Sequence, residues 1–251
     1  MAVFLACSDE SASQNPKRLF LVAGCIANVD EWGDFSKLWQ EQVLDSDPPI
    51  PYLHMIEIRR EVFQQRWKLT PEVAKQKVAG AIRLMIEADY LSIIASAINV
   101  FDLENELRAK LREQSIPPRP DFKQPDYPCF AGYAYHAMNY VRQKHPDAER
   151  VDFVVALNGN ITQHIKTFHE DMRGWMQSRD PELAELVGEL MPARMEDRLP
   201  LQVADVFCWH LRRQRDGFDD GAQSLFYKRG FSHEWTKDDL RATVDGVVQF
   251  G

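Results

Sequence analysis

Apolar residues occupy both alternating faces of residues 2 to 8, with Val3, Leu5 and Cys7 on one side and Ala2, Phe4 and Ala6 on the other. A strand that is apolar on both faces is covered on both, so a central strand is predicted here. A polar turn from Glu10 to Lys17, carrying Asn15-Pro16, leads into a second apolar run, Leu19 to Ala27. The short link predicts an antiparallel hairpin. From Asp30 to Asp45 the period changes to that of a helix, with Trp32, Phe35, Leu38, Trp39 and Val43 on one stripe, and Asp47-Pro48-Pro49 ends it. Tyr52 to Glu57 reads as an extended or loop segment. Thr70-Pro71-Glu72 then supplies a capping hydroxyl and a proline at the first helical position, opening a helix to about Glu87.

A third strand is predicted at Leu91 to Val100, followed by a charged helix from Leu103 to Glu113. Ile116 to Pro128 holds five of the chain's 14 prolines and is expected to be irregular, as an insertion or lid. Phe130 to Lys144 reads as a helix with Phe130, Tyr133 and Met138 in the core. Val151 to Leu157 is a fourth strand ending at Asn158-Gly159-Asn160, and a helix runs from Ile161 to Ser178. A short helical piece, Pro181 to Val187, precedes a weak edge strand at Gly188 to Glu196, where Pro192 is tolerable. The last long helix is Arg198 to Arg213, with Pro200 in its first turn. Beyond Gly217 two short helical pieces are expected, Ala222 to Tyr227 and Lys237 to Val247. This order describes an α/β protein, a mixed sheet flanked by helices.

At 251 residues and 45% hydrophobic content, the chain can bury one large core, and a single domain over residues 1–216 with a C-terminal helical extension over 217–251 packed on it is expected. No run reaches the ~20 apolar residues of a membrane span, and Met-Ala-Val-Phe-Leu-Ala-Cys has no basic leader, so a cytoplasmic protein without a membrane partner is expected. The four cysteines form no Cys-x-x-Cys pair and read as buried reduced thiols. A net charge of -8 argues against gripping nucleic acid with the whole surface. Two basic clusters remain, Arg59, Arg60 and Arg66, and Arg212, Arg213, Arg215, Lys228 and Arg229. Their simplest reading is solvated helix surface. Gly-x-x-x-x-Gly-Lys-Ser/Thr, Gly-x-Gly-x-x-Gly, Gly-x-Ser-x-Gly and His-Glu-x-x-His are all absent, which removes the commonest nucleotide-, hydrolase- and zinc-protease signatures.

The chemistry that remains is acidic. Asp205 lies among Val203, Ala204, Val206 and Phe207 and shares a helix face with Gln202 and Trp209. An ionised carboxylate there needs a cation or hydrogen-bond donors, or else it serves only the helix N-terminus. Asp9 continues the Val3, Leu5, Cys7 face past the end of the first strand, and Glu10 the opposite face, so only one of them can point into a given cleft. Asp9 is the candidate ligand-facing group, the alternative being that both cap the turn with Ser11 and Ser13. His54 and Glu57, three apart in an otherwise apolar segment, could face one point if that segment is helical. His164 and His169 are five apart on a helix and do not share a face. Oxygen ligands from Asp9, Glu57 and Asp205 suit Mg²⁺ or Mn²⁺ better than zinc, and two such ions would serve phosphodiester cleavage, with His54 and Gln202 as supporting or substrate-orienting groups.

Three blocks, Asp9-Glu10-Ser11 after the first strand, Leu53-His54-Met55 with Glu57, and Leu201-Gln202-Val203-Ala204-Asp205, resemble the signature blocks of the DUF3800 family across residues 3 to 215. The resemblance implies a ribonuclease H-like fold with a mixed five-stranded sheet, acidic residues for a divalent metal, and a nuclease-like role in bacterial or phage genomes. The chain departs from the family pattern at Ala12, where glycine is usual, and at Asn158, where an Asp is usual. Asn158 is the expected fourth, weakened ligand, offering a carbonyl oxygen without charge. The functional expectation is a divalent-metal-dependent nuclease or phosphodiesterase acting on DNA or RNA. The alternatives are a degenerate member of the same fold that binds nucleic acid or protein, and a small-molecule phosphohydrolase.

Overall fold

The computed structural model describes residues 2–12, 19–113, 124–218 and 230–240. β1 (Ala2–Ala12) and β2 (Leu19–Asn28) form the expected antiparallel pair. The side chain of Asn28 and Glu31 make a reciprocal cap that starts α1 (Val29–Trp39), and this helix continues through a wider π-helical turn at Gln40–Leu44. α2 (Glu61–Arg66) is followed by α3 (Pro71–Glu87), whose first turn is capped by Thr70 with Pro71 behind it. After β3 (Ser92–Asn99), α4 (Val100–Asp102) runs through a second π-helical turn, Leu103–Leu107, into α5 (Arg108–Glu113). Next come α6 (Asp126–Lys144), β4 (Ala148–Ala156), α7 (Gly159–Gln177), α8 (Pro181–Glu185), β5 (Val187–Ala193), α9 (Leu199–Arg215) and β6 (Gly230–Trp235).

The six strands form one mixed sheet in the order β5-β4-β1-β2-β3-β6. β1 runs parallel to β4, and β4 to β5, while β2 is antiparallel to both β1 and β3. Both faces are covered. On one, Cys7, Leu21, Ala23 and Cys25 pack with Trp32, Trp39, Leu201 and Phe207 from α1 and α9. On the other, Phe4, Ala6, Val22 and Ile94 pack with Phe130, Tyr133 and Phe168 from α6 and α7. The double burial of β1 is why its apolar pattern does not alternate. All four cysteines are buried and unpaired with one another.

The structure departs from the sequence reading in four places. First, β1 extends to Ala12, so Asp9 pairs with Ala23 and Glu10 with Val22 inside the ladder, and their opposite directions are enforced by pairing rather than by a turn. Second, α2 was not expected, because Phe63 is its one buried residue and gives no period to read. Third, α6 begins at Asp126, so the irregular Pro-rich piece ends before it; Pro128 sits in the first turn, where its missing N–H costs nothing. Residues 116–123 of that piece lie outside the described residues. Fourth, the sheet has six strands rather than five, since the C-terminal segment expected to be helical contributes β6 parallel to β3. Phe231, His233 and Trp235 alternate in β6, a period of two masked by its brevity. Residues 237–240 are helical, while Ala222 to Tyr227 and 241–247 lie outside the described residues. No described helix is long and apolar enough to cross a membrane.

One position decides whether the central pair can form. Gly24 faces Ser8, and a Cβ there would stand 1.8 Å from the Cys7 carbonyl oxygen. Gly24→Ala is therefore expected to destabilise the fold by more than about 3 kcal/mol, because the clash is with a neighbouring strand's backbone and cannot be relieved by a rotamer change. Urea denaturation that leaves the midpoint unchanged would contradict this register.

Candidate active site

The carboxyl ends of the parallel strands β1 and β4 meet at one edge of the sheet, the position at which open α/β sheets place ligands. A cleft of about 540 Å³ opens there, lined by Asp9, Glu10, Tyr52, His54, Glu57 and Asn158 together with Asp205, Trp209 and Arg194. Residues separated by up to 200 positions thus come to one place, and Asp9, Glu10, Glu57 and Asp205 are all among them, so the expectation that only one of Asp9 and Glu10 enters a given cleft does not hold at this strand end. Gln202 does not reach the cleft.

The floor is built by α9. Asp205 is 4% exposed, and its Oδ2 accepts from the Met55 backbone N–H at 2.6 Å. One turn earlier Gln202, fully buried, accepts from Leu53 N–H at 2.9 Å and from Trp39 Nε1 at 3.1 Å, while its own Nε2 donates to the Met195 carbonyl at 3.2 Å. Leu53 and Met55 are buried, while His54 between them lines the cleft at the start of a helical turn closed by the Ile58 N–H on the His54 carbonyl at 2.9 Å. Of the roles expected for Gln202, the geometry leaves the supporting one: its amide holds the 52–57 segment and cannot meet a substrate.

Asp9 comes from the sheet to meet Asp205. Their carboxyl groups lie within hydrogen-bonding reach of each other, an arrangement that favours one shared proton. Burial, then the nearby charges of Glu10 and Asp205, push Asp9 well above the ordinary Asp range. Burial likewise raises Asp205, to about 6, against the opposing pull of His54 and the Met55 N–H. Two carboxylates this close cannot both ionise cheaply without a cation. Behind them the Cys208 thiol donates to the Asp9 carbonyl at 3.3 Å, and burial followed by the Asp9 charge pushes this thiol up, so it is a packing group rather than a nucleophile.

Glu57 stands beside them on the 52–57 segment. Its carboxylate accepts from the Tyr52 hydroxyl and lies 4.0 Å from His54 Nδ1. Burial and that bond raise Tyr52 to about 12, so the phenol stays a donor. On the opposite face of β1, Glu10 accepts from Asn158 Nδ2, and burial raises Glu10 above the usual Glu range, the Asn158 bond partly offsetting it. Asn158 is itself fixed where β4 passes into α7, its N–H donating to Thr162 Oγ1 at 2.7 Å. Among the described residues, no group of three or more His, Cys, Asp or Glu side chains is placed to hold a metal ion.

Several site residues escaped the sequence reading. Tyr52 and Arg194 line the cleft, and neither carried a signal, one being an aromatic in a loop and the other a lone basic residue after a weak edge strand. His164, set aside on sequence, has its Nδ1 2.6 Å from Asp126 Oδ2 at the start of α6, and Asp126 adds negative charge on the Glu10 side. His169 instead contacts the Gly188 carbonyl at 3.1 Å. No protein-family model, curated protein or solved structure matches the chain.

Two outcomes follow. A carboxyl whose folded-state pKa is raised stabilises the fold fully below its unfolded value near pH 4, and loses that contribution as pH rises through the folded value, here about 6 for Asp205. Asp9→Asn keeps the hydrogen bond without the second charge, so at pH 8 it is expected to be more stable than the parent by about 1–3 kcal/mol, with the gain gone at pH 4. Denaturation at the two pH values measures it; a loss of equal size at both would contradict the paired arrangement. Gln202→Leu strands the Leu53 and Trp39 donors in the core, and a loss of about 2–5 kcal/mol is expected by the same method.

Proposed function

We propose that this protein is a divalent-metal-dependent phosphodiester hydrolase of ribonuclease H-like fold, a nuclease in the manner of the DUF3800 family it resembles. The observation that carries the reading is the meeting of Asp9 and Asp205, from a central strand and a distant helix, as two buried carboxyl groups side by side at the floor of a cleft. In support of the fold, β1 to β5 make a mixed five-stranded sheet with the acidic residues at its carboxyl edge, and β6 adds to its β3 side.

The donor set fits Mg²⁺ or Mn²⁺. Both floor carboxyls are oxygen donors that share a proton where a cation would let both ionise, and Mg²⁺ is usually held by one or two carboxylates with waters and substrate phosphate completing the shell, so a closed cage is not required. Asp9 and Asp205 would hold the ion, with Glu57 and the Asn158 carbonyl in reach of the same cleft. A bound ion would polarise the phosphoryl oxygen and activate water. The residues supply the rest. Asp9 and Asp205 would give up on loading the proton that burial favours there. Tyr52 holds Glu57 in one orientation, Asn158 holds Glu10, and His54, beside Glu57, is placed to pass a proton at its imidazole. Arg194 on the rim meets phosphate charge.

Two other readings each have an observation behind them. A fold retained for binding alone is favoured by Asn158 standing where an acidic ligand is usual. A small-molecule phosphohydrolase is favoured by the net charge of -8 and a cleft sized for one nucleotide-like unit.

Calorimetric titration of Mn²⁺ and Mg²⁺ tests the proposal. Binding is expected that Asp9→Asn and Asp205→Asn each abolish, with close to one proton released per ion at pH 6 and fewer at pH 8. No binding at millimolar metal by the parent protein would remove the hydrolytic reading and leave the binding one.

A further inference from the structure

β6 is held on the sheet by more than its ladder with β3. Phe231, His233 and Trp235 alternate along it and turn inward, while Ser232 and Glu234 between them are exposed. The inward three meet one stripe of α6, made by Gly132, His136 and Tyr140 at a spacing of four. Phe231 stacks on His136 with ring centres 6.2 Å apart and stands edge-on to Tyr140 at 6.0 Å. His233 packs on His136 at 5.3 Å and edge-on against Trp235 at the same distance. At the far end Trp235 Nε1 donates to Ser96 Oγ at 3.1 Å. Gly132 makes room for that bond, since a Cβ there would stand 3.2 Å from the indole nitrogen and 2.5 Å from the hydroxyl oxygen. The contact runs ring to ring along the strand, with two imidazoles at its centre.

Phenyl rings at these two positions would dock the strand equally well at every pH. Imidazoles add a charge that one proton on each switches on. The surroundings of the two rings are unequal. His233 Nε2 lies 3.9 Å from Asp239 Oδ2, a counter-charge for a proton there. The Thr236 N–H and hydroxyl, and then His233, hold Asp239 below the ordinary Asp range, so that counter-charge persists in acid. His136 faces Phe231, His233 and the edge of Tyr135, and burial followed by the His233 charge holds it below the ordinary His value. Tyr140, one turn along α6, accepts from the Ser92 hydroxyl at 2.5 Å, and its ring lies 6.0 Å from His145. Among the described residues, the charges flanking β6 are paired elsewhere, Glu234 with Arg215, and Lys237 with Asp102 and Glu106.

We infer that β6 is a pH-released latch: the His136–His233 pair holds this strand against α6 while both rings are neutral and frees it when both carry protons. The latch is independent of the hydrolytic reading and does not rest on it. A histidine whose folded-state value is depressed, as that of His136 is, stabilises the closed strand fully above the ordinary value near 6.5. That contribution is lost as pH falls through 6.5 toward the folded value. In the open strand His136 is solvated and away from His233, so it takes its proton freely. Opening uncovers the outer edge of β3 and the ring stripe of α6, while the rest of the sheet keeps its ladder. The cleft floor responds with the opposite sign, because the raised carboxyl of Asp205 adds stability as pH falls. The two effects are therefore separable.

The test is amide hydrogen exchange of the full chain at pH 7.5 and 5.5, read as protection factors so that the intrinsic pH dependence of exchange drops out. Protection over Phe231 to Trp235 is expected to fall about 3- to 10-fold between the two values. The upper end is the most that one imidazole with an ordinary value near 6.5 delivers over this range. His136→Phe keeps a ring on Phe231 and should hold β6 protection level across the two pH values. His233→Asn removes only the second charge, and because burial is the larger cause of the depression, a smaller fall should remain. Thermal melting at pH 7.5 checks that each variant is folded. A flat profile in the parent protein would overturn the latch, and so would a fall of equal size in His136→Phe, which would trace to another group. Neither histidine lines the cleft, so metal binding at Asp9 and Asp205 is expected to be unchanged in both variants, and loss of either proposal leaves the other standing.

Discussion

Two side chains one turn apart on α9 hold the site together. Gln202 takes the N–H of Leu53 and Asp205 takes the N–H of Met55, two residues of the same 52–57 segment. This pair of bonds ties the segment to α9 and sets which of its residues are buried and which face the cleft. Leu53 and Met55 go into the core, and His54 goes to the cleft. The same helix lies across β1 and β2, so it carries Asp205 to the point where β1 delivers Asp9. Breaking the Gln202 bonds would therefore cost both core satisfaction and the placement of the 52–57 segment.

The cleft concentrates negative charge that the fold does not neutralise with a basic side chain on its floor. β1 contributes carboxyl groups to both of its faces, Asp9 toward Asp205 and Glu10 toward Asn158 and Asp126. Burial raises each of these two above its ordinary range, and the proton shared by Asp9 and Asp205 is the local remedy. Protein folds tolerate such repulsion where a ligand relieves it, and under the proposed function that ligand is a cation. The geometry of α9 makes the arrangement economical, since the carboxylate that meets Asp9 also satisfies a backbone donor.

Much of this was legible along the chain because the patterns were long. The doubly apolar β1, the tryptophan stripe of α1 and the Thr70-Pro71 start of α3 each rest on several residues that agree. The isolated polar residues Asp205 and Gln202 in an apolar helix were likewise visible, and the structure brings Asp205 to the cleft with Asp9, Glu10, His54, Glu57 and Asn158. What stayed hidden depends on short elements or on distance in sequence. α2 has one buried residue, β6 has six positions, and Pro128 concealed a helix start that tolerates it. The division of labour between Asp205 and Gln202 was hidden too, because one helix face does not reveal which polar group reaches solvent. Likewise, nothing in the local context of Arg59 or Arg213 announces that both stack on Trp209.

The central claim is that Asp9 and Asp205 are one ionisable unit. Carbon-13 NMR of the aspartate carboxyl groups, followed from pH 3 to 8 with Asp9→Asn and Asp205→Asn for assignment, tests it directly. The account predicts that both signals respond to a proton held well above the usual aspartate range, and that Asp205→Asn lowers Asp9 while burial still keeps it raised, whereas Asp9→Asn does not lower Asp205. Two independent titrations, both complete below pH 4 and each unaffected by loss of the other group, would contradict it.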